Sequence, residues 1–115
     1  MSNDPWATIS VLARLFAEFD TDRGIHEEEQ WTLQVLKMSE EVGEAAQAVI
    51  GARATNPRKG RSHTWQDVHE EVADAAITSL VTLARMRPDA EAFFAGFLER
   101  KAARFLPAEA VVDQP

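Results

Sequence analysis

Two stretches set carboxylates at helical spacing beside apolar stripes, and they constrain this chain more than any other feature. They are Lys37-Met38-Ser39-Glu40-Glu41-Val42-Gly43-Glu44 and, further along, Glu70-Glu71-Val72-Ala73-Asp74. Residues three or four apart share a helix face, so Glu41 lies beside Glu44 and Glu71 beside Asp74. Like charges at that spacing repel. A fold that keeps both clusters against apolar stripes either holds a cation between them or leaves them facing water. The chain has no cysteine, which excludes disulfides, thiolate zinc sites and a cysteine nucleophile. Chemistry must come from carboxylates, basic groups or hydroxyls.

In chain order the pattern is helical, with no alternating strand signature. Asp4 followed by Pro5 reads as an N-cap and first helical position, opening a helix to about Phe19 with the stripe Ile9, Leu12, Leu15 or Phe16, and Phe19. The segment Asp20-Thr21-Asp22-Arg23-Gly24 begins like a calcium loop, but its glycine falls one position early and Trp31 stands where a bidentate Glu is required. It is a turn. A second helix runs from Glu27 to about Ile50, with Gly51 as its stop. Its core stripe is Trp31, Val35, Met38, Val42 and Val49, with Glu41 at the edge and Glu44 just beyond. Gly43 inside a helix points to close approach by a neighbouring helix or ligand.

Residues 51 to 63 form a loop broken by Asn56-Pro57 and Gly60. Arg53, Arg58, Lys59 and Arg61 cluster there, either as a phosphate clamp or as a solvated loop. A third helix, capped by Ser62 or Thr64 with Asp67 in its first turn, extends to about Met86. Its stripe is Trp65, Val68, Val72, Ala76, Ser79 and Leu83, with Glu71 at the edge and Asp74 beside it. After Ala75 it is apolar nearly all round, which makes it central or part of a subunit interface. Pro88 and Asp89 open a fourth helix carrying Phe93, Phe94, Phe97, Leu98 and Phe105, with Arg100, Lys101 and Arg104 towards its end. The expectation is an all-α, four-helix-bundle-like domain over 1–106, with two long central helices carrying the acids and a disordered tail over 107–115.

If the second and third helices pack antiparallel, Glu41, Glu44, Glu71 and Asp74 converge from two sides. Converging carboxylate oxygens make a hard-cation site, and Mg²⁺ fits best because it keeps waters that phosphate oxygens can replace. The bland alternative is two exposed acidic patches, since surface carboxylates at this spacing are common. A net charge of −7 argues against a sequence-independent grip on nucleic acid. No apolar run is long enough to span a membrane, and no signal peptide is recognisable, so a cytoplasmic location is expected.

Over roughly residues 30 to 105 the chain resembles the MazG-like all-α nucleoside triphosphate pyrophosphohydrolases. The family's paired motifs, E-E-x-x-E on one helix and E-x-x-D on the next, are matched by Glu40-Glu41-Val42-Gly43-Glu44 and Glu71-Val72-Ala73-Asp74. Lys37 before the first motif and the small and apolar runs Ala45-Ala46 and Ala75-Ala76-Ile77 agree with it. The resemblance implies cleavage of a nucleoside triphosphate between the α and β phosphates, giving a monophosphate and pyrophosphate. It implies Mg²⁺, with Mn²⁺ as a substitute, on Glu41, Glu44, Glu71 and Asp74. Glu40 would orient the attacking water as general base or support a second metal, and Glu41, a metal ligand, counts with it among the catalytic residues. Lys37, Arg58, Lys59 and Arg61 would neutralise the departing pyrophosphate, and Trp31 or Trp65 could stack a base, although an aromatic on an apolar stripe is more often core. The family often ends its fourth helix with a Lys, Asn and Arg set. Here residues 99–104 supply Arg104 but no Asn, which leaves the substrate open.

Apolar faces beyond those one short chain can cover, including Leu33, Leu36 and Ile50, predict a homodimer or homotetramer. The resemblance implies the same. Two other classes stand beside the enzyme: a regulatory helical module that holds metal without catalysis, and an acidic adaptor for another protein that holds none.

Overall fold

The computed structural model describes residues 4–107. Among them the protein is all-α: α1 (Pro5–Asp22), α2 (Glu27–Arg53), α3 (Trp65–Met86) and α4 (Ala90–Ala102), with no strand. The tail expected to be disordered lies, beyond Pro107, outside the described residues. No described helix is long and apolar enough to cross a membrane.

Local chemistry explains the helix ends. The Asp4 carboxylate accepts from the Trp6 N–H at 3.0 Å and Pro5 fills the first helical position. The helix α1 outruns the expected end at Phe19 and turns at Gly24, whose φ of 79° suits glycine. Gln30 pins that turn to α2, donating to Thr21 Oγ1 at 3.1 Å and to the Ile25 carbonyl at 2.7 Å. Gly51 is not the stop of α2, which continues to Arg53 and closes on Ala54 in the left-handed region. Gly51 instead allows a close approach: a Cβ there would collide with the side chains of Ser62 and His63. The space around Gly43 is open, so the contact expected at that glycine occurs at Gly51. Thr64 and Asp67 form a reciprocal capping box at the start of α3. Arg87 is extended before Pro88 and holds Asp89 with bonds of 2.8 and 3.0 Å, so Asp89 makes no side-chain cap for α4. Because α4 ends at Ala102, Arg104 and Phe105 sit in the turn that follows.

The helices α2 and α3 form an antiparallel hairpin, paired from Trp31 against Arg85 at one end to Gly51 against Ser62 at the other. One small core, Ala48, Ala52 and Val68, lies within that pair. The other, Ile9, Ala13 and Val81, joins α1 to α3, flanked by Trp6, Leu12, Leu80 and Ala84. The helix α4 touches the rest through buried Ala90 and a tilted Trp6–Phe94 ring pair at 5.9 Å. The core stripes expected from periodicity are only partly buried. Val68 is inside, whereas Val35, Val42, Trp65 and Val72 are exposed, as are Leu15, Phe16 and Phe19 on α1. The reason is that α1 covers the opposite face of the hairpin, through Val81 and Ala84.

Arg85 ties three helices together. Its guanidinium donates to Asp20 Oδ2 on α1 at 2.7 Å, and to Gln30 Oε1 at 3.1 Å and Gln34 Oε1 at 2.9 Å on α2. Its own carbonyl accepts from Trp31 Nε1 at 3.3 Å.

Candidate metal centre

The hairpin register, with Ala48 against Val68 and Trp31 against Arg85, brings the middle of α2 opposite the middle of α3. Glu41, Glu44 and Glu71 meet there, each offering a carboxylate oxygen within 4.8 Å of the others. Glu41 and Glu71 are half-buried and Glu44 is exposed. Helical periodicity supplies two acids from α2 on one face, and chain reversal supplies the third.

Three anionic groups this close are electrostatically uncompensated. Burial first, and then the charges of Glu44, Asp74 and Glu41, push the Glu71 carboxyl above its ordinary range. Glu71 Oε2 is sealed from solvent and has no hydrogen-bond partner. The cation nearest in sequence, Lys37, reaches Glu41 at 3.8 Å across one helical turn, with 54% of its side chain exposed and 14% of its partner's. A pair that loose does little to offset the repulsion. Glu41, Glu44 and Glu71 are therefore the residues that could hold a divalent cation. Their donors are all hard oxygens, as Mg²⁺ and Mn²⁺ require, although surface acids also gather without an ion.

The remaining sequence candidates are spread around this trio. Asp74, one turn along α3, is exposed and stands outside the close cluster, near enough for its charge to act on Glu71. Glu40 is exposed and also outside it. Arg58, Lys59 and Arg61 are exposed in the loop between α2 and α3, and no ion pair joins them to the trio among the described residues. The loop folds back on α2, where the Ser62 N–H donates to the Gly51 carbonyl at 3.2 Å and Lys59 borders a cavity of about 60 Å³. Arg104 is exposed beyond α4. Trp65 opens α3 and is exposed, and Trp31 is half-buried with its indole N–H committed to the Arg85 carbonyl.

Periodicity did not single out a cavity of about 450 Å³ one turn from the trio, walled by Phe16, Phe19, Leu33, Ile77 and Val81. Its polar lining includes Gln34, Thr78, Lys37 and Arg85. The available signal was Arg85 itself, a cation placed at the end of an apolar run, where burial demands partners. Comparison of the chain with protein-family models, with curated proteins and with solved structures finds no match.

Proposed function

We propose that this protein is a Mg²⁺-dependent nucleoside triphosphate pyrophosphohydrolase, converting (d)NTP to (d)NMP and pyrophosphate, with nucleotide-pool house-cleaning as its setting. The observation that carries the reading is the convergence of Glu41, Glu44 and Glu71 from two helices, with a buried Glu71 oxygen left without a partner. Bringing three carboxylates together costs free energy that a divalent cation would recover. Glu41, Glu44 and Glu71 would hold it, and Asp74 stands one turn away to join them.

When bound, the cation supplies charge neutralisation at the phosphates and a more acidic water for attack at the α phosphorus. The chain's own groups do the rest. Glu40, or whichever trio carboxylate is not engaged, accepts the proton of the attacking water. Lys37, on the rim shared by the trio and the 450 Å³ cavity, faces the negative charge that builds on the phosphates. The apolar walls of that cavity take the nucleoside, in a volume usual for small-molecule sites. Arg58, Lys59, Arg61 and Arg104, exposed and in no ion pair with the trio among the described residues, are the further candidates to meet the phosphates. The working unit is a homo-oligomer, dimer or tetramer, in a four-helix-bundle-like arrangement.

A metal-holding module without catalysis is the second reading, favoured by the lack, among the described residues, of any ion pair between the loop cations and the acids. A pyrophosphate-release screen across canonical and modified triphosphates, with Mg²⁺ or Mn²⁺, separates the two. Hydrolysis in heavy-oxygen water should place the label on the monophosphate. Label in pyrophosphate, or no turnover of any triphosphate, would overturn the enzymatic reading.

A further inference from the structure

We propose that Gln34 and Asp20, both held by the buried Arg85 guanidinium, read the base of the bound nucleotide and select one with a lactam edge, a ring carbonyl beside a ring N–H. Uracil, thymine, guanine and hypoxanthine carry that edge. Cytosine and adenine present the reverse, an amino group beside a bare ring nitrogen. The proposal rests on the reading above that the 450 Å³ cavity takes the nucleoside, and adds to it which bases fit.

A guanidinium only donates, so each group bonded to Arg85 turns an oxygen towards it. That fixes what each neighbour has left to offer. Gln30 accepts through Oε1 at 3.1 Å, and its amide hydrogens go to Thr21 Oγ1 and the Ile25 carbonyl, so it presents nothing to a ligand. Gln34 differs. Its Oε1 accepts from Arg85 Nη1 at 2.9 Å, and its NH₂ group makes no bond among the described residues. The atoms of unexposed side chains that are sealed without a partner are, among the described residues, Glu71 Oε2 and Arg85 Nε. The Gln34 NH₂ is therefore open, on the cavity that Gln34 lines. Asp20 likewise gives Oδ2 to Arg85 Nη2 at 2.7 Å and leaves Oδ1 open on the same cavity.

One guanidinium thus orients a donor and an acceptor on its two terminal nitrogens. A ring carbonyl accepts from the Gln34 NH₂ while the adjacent ring N–H donates to Asp20 Oδ1. A base with the opposite edge sets its amino group against the Gln34 NH₂ and its bare ring nitrogen against the carboxylate. Both mismatches leave desolvated polar groups unpaired, which is how a site rejects the wrong ligand. Gln34 cannot turn its amide over to suit that base without setting NH₂ against the guanidinium. Thr78, also on the cavity, carries a hydroxyl that both donates and accepts, so it discriminates against neither edge.

The remaining walls suit a flat ring. Phe16 and Phe19 on α1 are 44% and 59% exposed, and Leu33 on α2 and Ile77 on α3 are 50% and 46% exposed, although all four line the cavity. A base entering between α1 and the hairpin would cover that apolar surface. The placement along α2 also fits. Gln34, Lys37 and Glu41 follow one another about one turn apart on one face, and Lys37 reaches Glu41 at 3.8 Å. At 1.5 Å per residue, Gln34 stands about 10 Å from Glu41 along the helix axis. That is the span of a nucleotide from its α phosphate to the far edge of its base.

The test uses 2′-deoxynucleosides, which carry no phosphate and need no metal, titrated into the full chain with a chelator present and followed by ligand-observed NMR. Deoxyuridine, thymidine and deoxyguanosine should bind at least about ten-fold more tightly than deoxycytidine and deoxyadenosine. Gln34→Glu keeps an oxygen for Arg85 but replaces the donor by an acceptor. It should cut that preference about ten-fold, with circular dichroism showing the helices intact. If the variant does not fold, the parent protein decides through the ligand: N3-methylthymidine, which lacks the ring N–H, should bind no better than deoxycytidine. Equal affinity for all five nucleosides, a preference for the amino-edge pair, or a preference that Gln34→Glu leaves unchanged would overturn the proposal. So would N3-methylthymidine bound as tightly as thymidine, or no binding of any nucleoside. Hydrolysis is judged apart from this, by pyrophosphate release with metal present, so either reading can fail without the other.

Discussion

Replacing Arg85 by Met should be among the most destabilising single changes in this protein. Only 3% of the Arg85 side chain is exposed, against 24% for its partner Asp20, and the guanidinium donates three bonds of 2.7, 2.9 and 3.1 Å to two other helices. Methionine keeps the bulk of the aliphatic stem but leaves the Asp20 carboxylate and the amide oxygens of Gln30 and Gln34 without their donor. Breaking a buried pair from one side costs about 3–5 kcal/mol. Asp20 regains some water, so the lower end, about 3 kcal/mol, is the expectation. For a domain of this size that lowers Tm by about 12–20 °C. Thermal and urea melts by circular dichroism would read it. Asp20→Asn should cost a similar amount, and the double variant clearly less than the two together, because each single change strands the other partner. A Tm within about 2 °C of the parent, or costs that simply add, would refute the claim that this ion pair holds α1 on the hairpin.

Two further outcomes follow from single sites. Gly43→Ala should stabilise the protein by about 1 kcal/mol, because the glycine sits mid-helix with open space around it, while Gly51→Ala should destabilise it by displacing Ser62 and His63; chemical denaturation of both variants checks the opposite signs. In the metal-free protein the raised Glu71 carboxyl means the folded state holds its proton more tightly than the unfolded chain. Stability is therefore lost as pH rises above the ordinary value of 4.5 and through the raised one. Glu71→Gln lacks that loss, so it should melt above the parent at neutral pH and converge with it in acid; a constant difference across pH would remove the electrostatic explanation.

Periodicity revealed the helices because α1, α2 and α3 each begin or end on residues with a local mechanism, such as Asp4-Pro5 and the Thr64–Asp67 box. It placed Gly51 at a helix end because glycine in isolation reads as a stop, whereas here it serves a close packing contact that only the returning loop creates. The acids were legible for the same reason as the helices: spacing sets Glu41 beside Glu44. Which acid they meet on α3 depends on the register of two helices, a tertiary quantity, and that register brings up Glu71 while Asp74 stands one turn off. Arg85 at the end of an apolar run was a legible signal, but its partners were not, because Asp20, Gln30 and Gln34 are ordinary surface types that acquire meaning only around a buried cation. The stripes through Val42 and Val72 were legible as apolar faces, but sequence could not say that α1 would cover the other side.

The central claim is that Glu41, Glu44 and Glu71 form one divalent-cation site, and direct titration of Mn²⁺ into the full chain, followed by the paramagnetic signal of the free ion, tests it most directly. The account predicts saturable binding that Mg²⁺ displaces and that Glu41→Gln, Glu44→Gln and Glu71→Gln each abolish or weaken by at least about ten-fold, roughly 1.4 kcal/mol, without loss of helix. No saturable binding to the parent, or equal binding to all three folded variants, would contradict it.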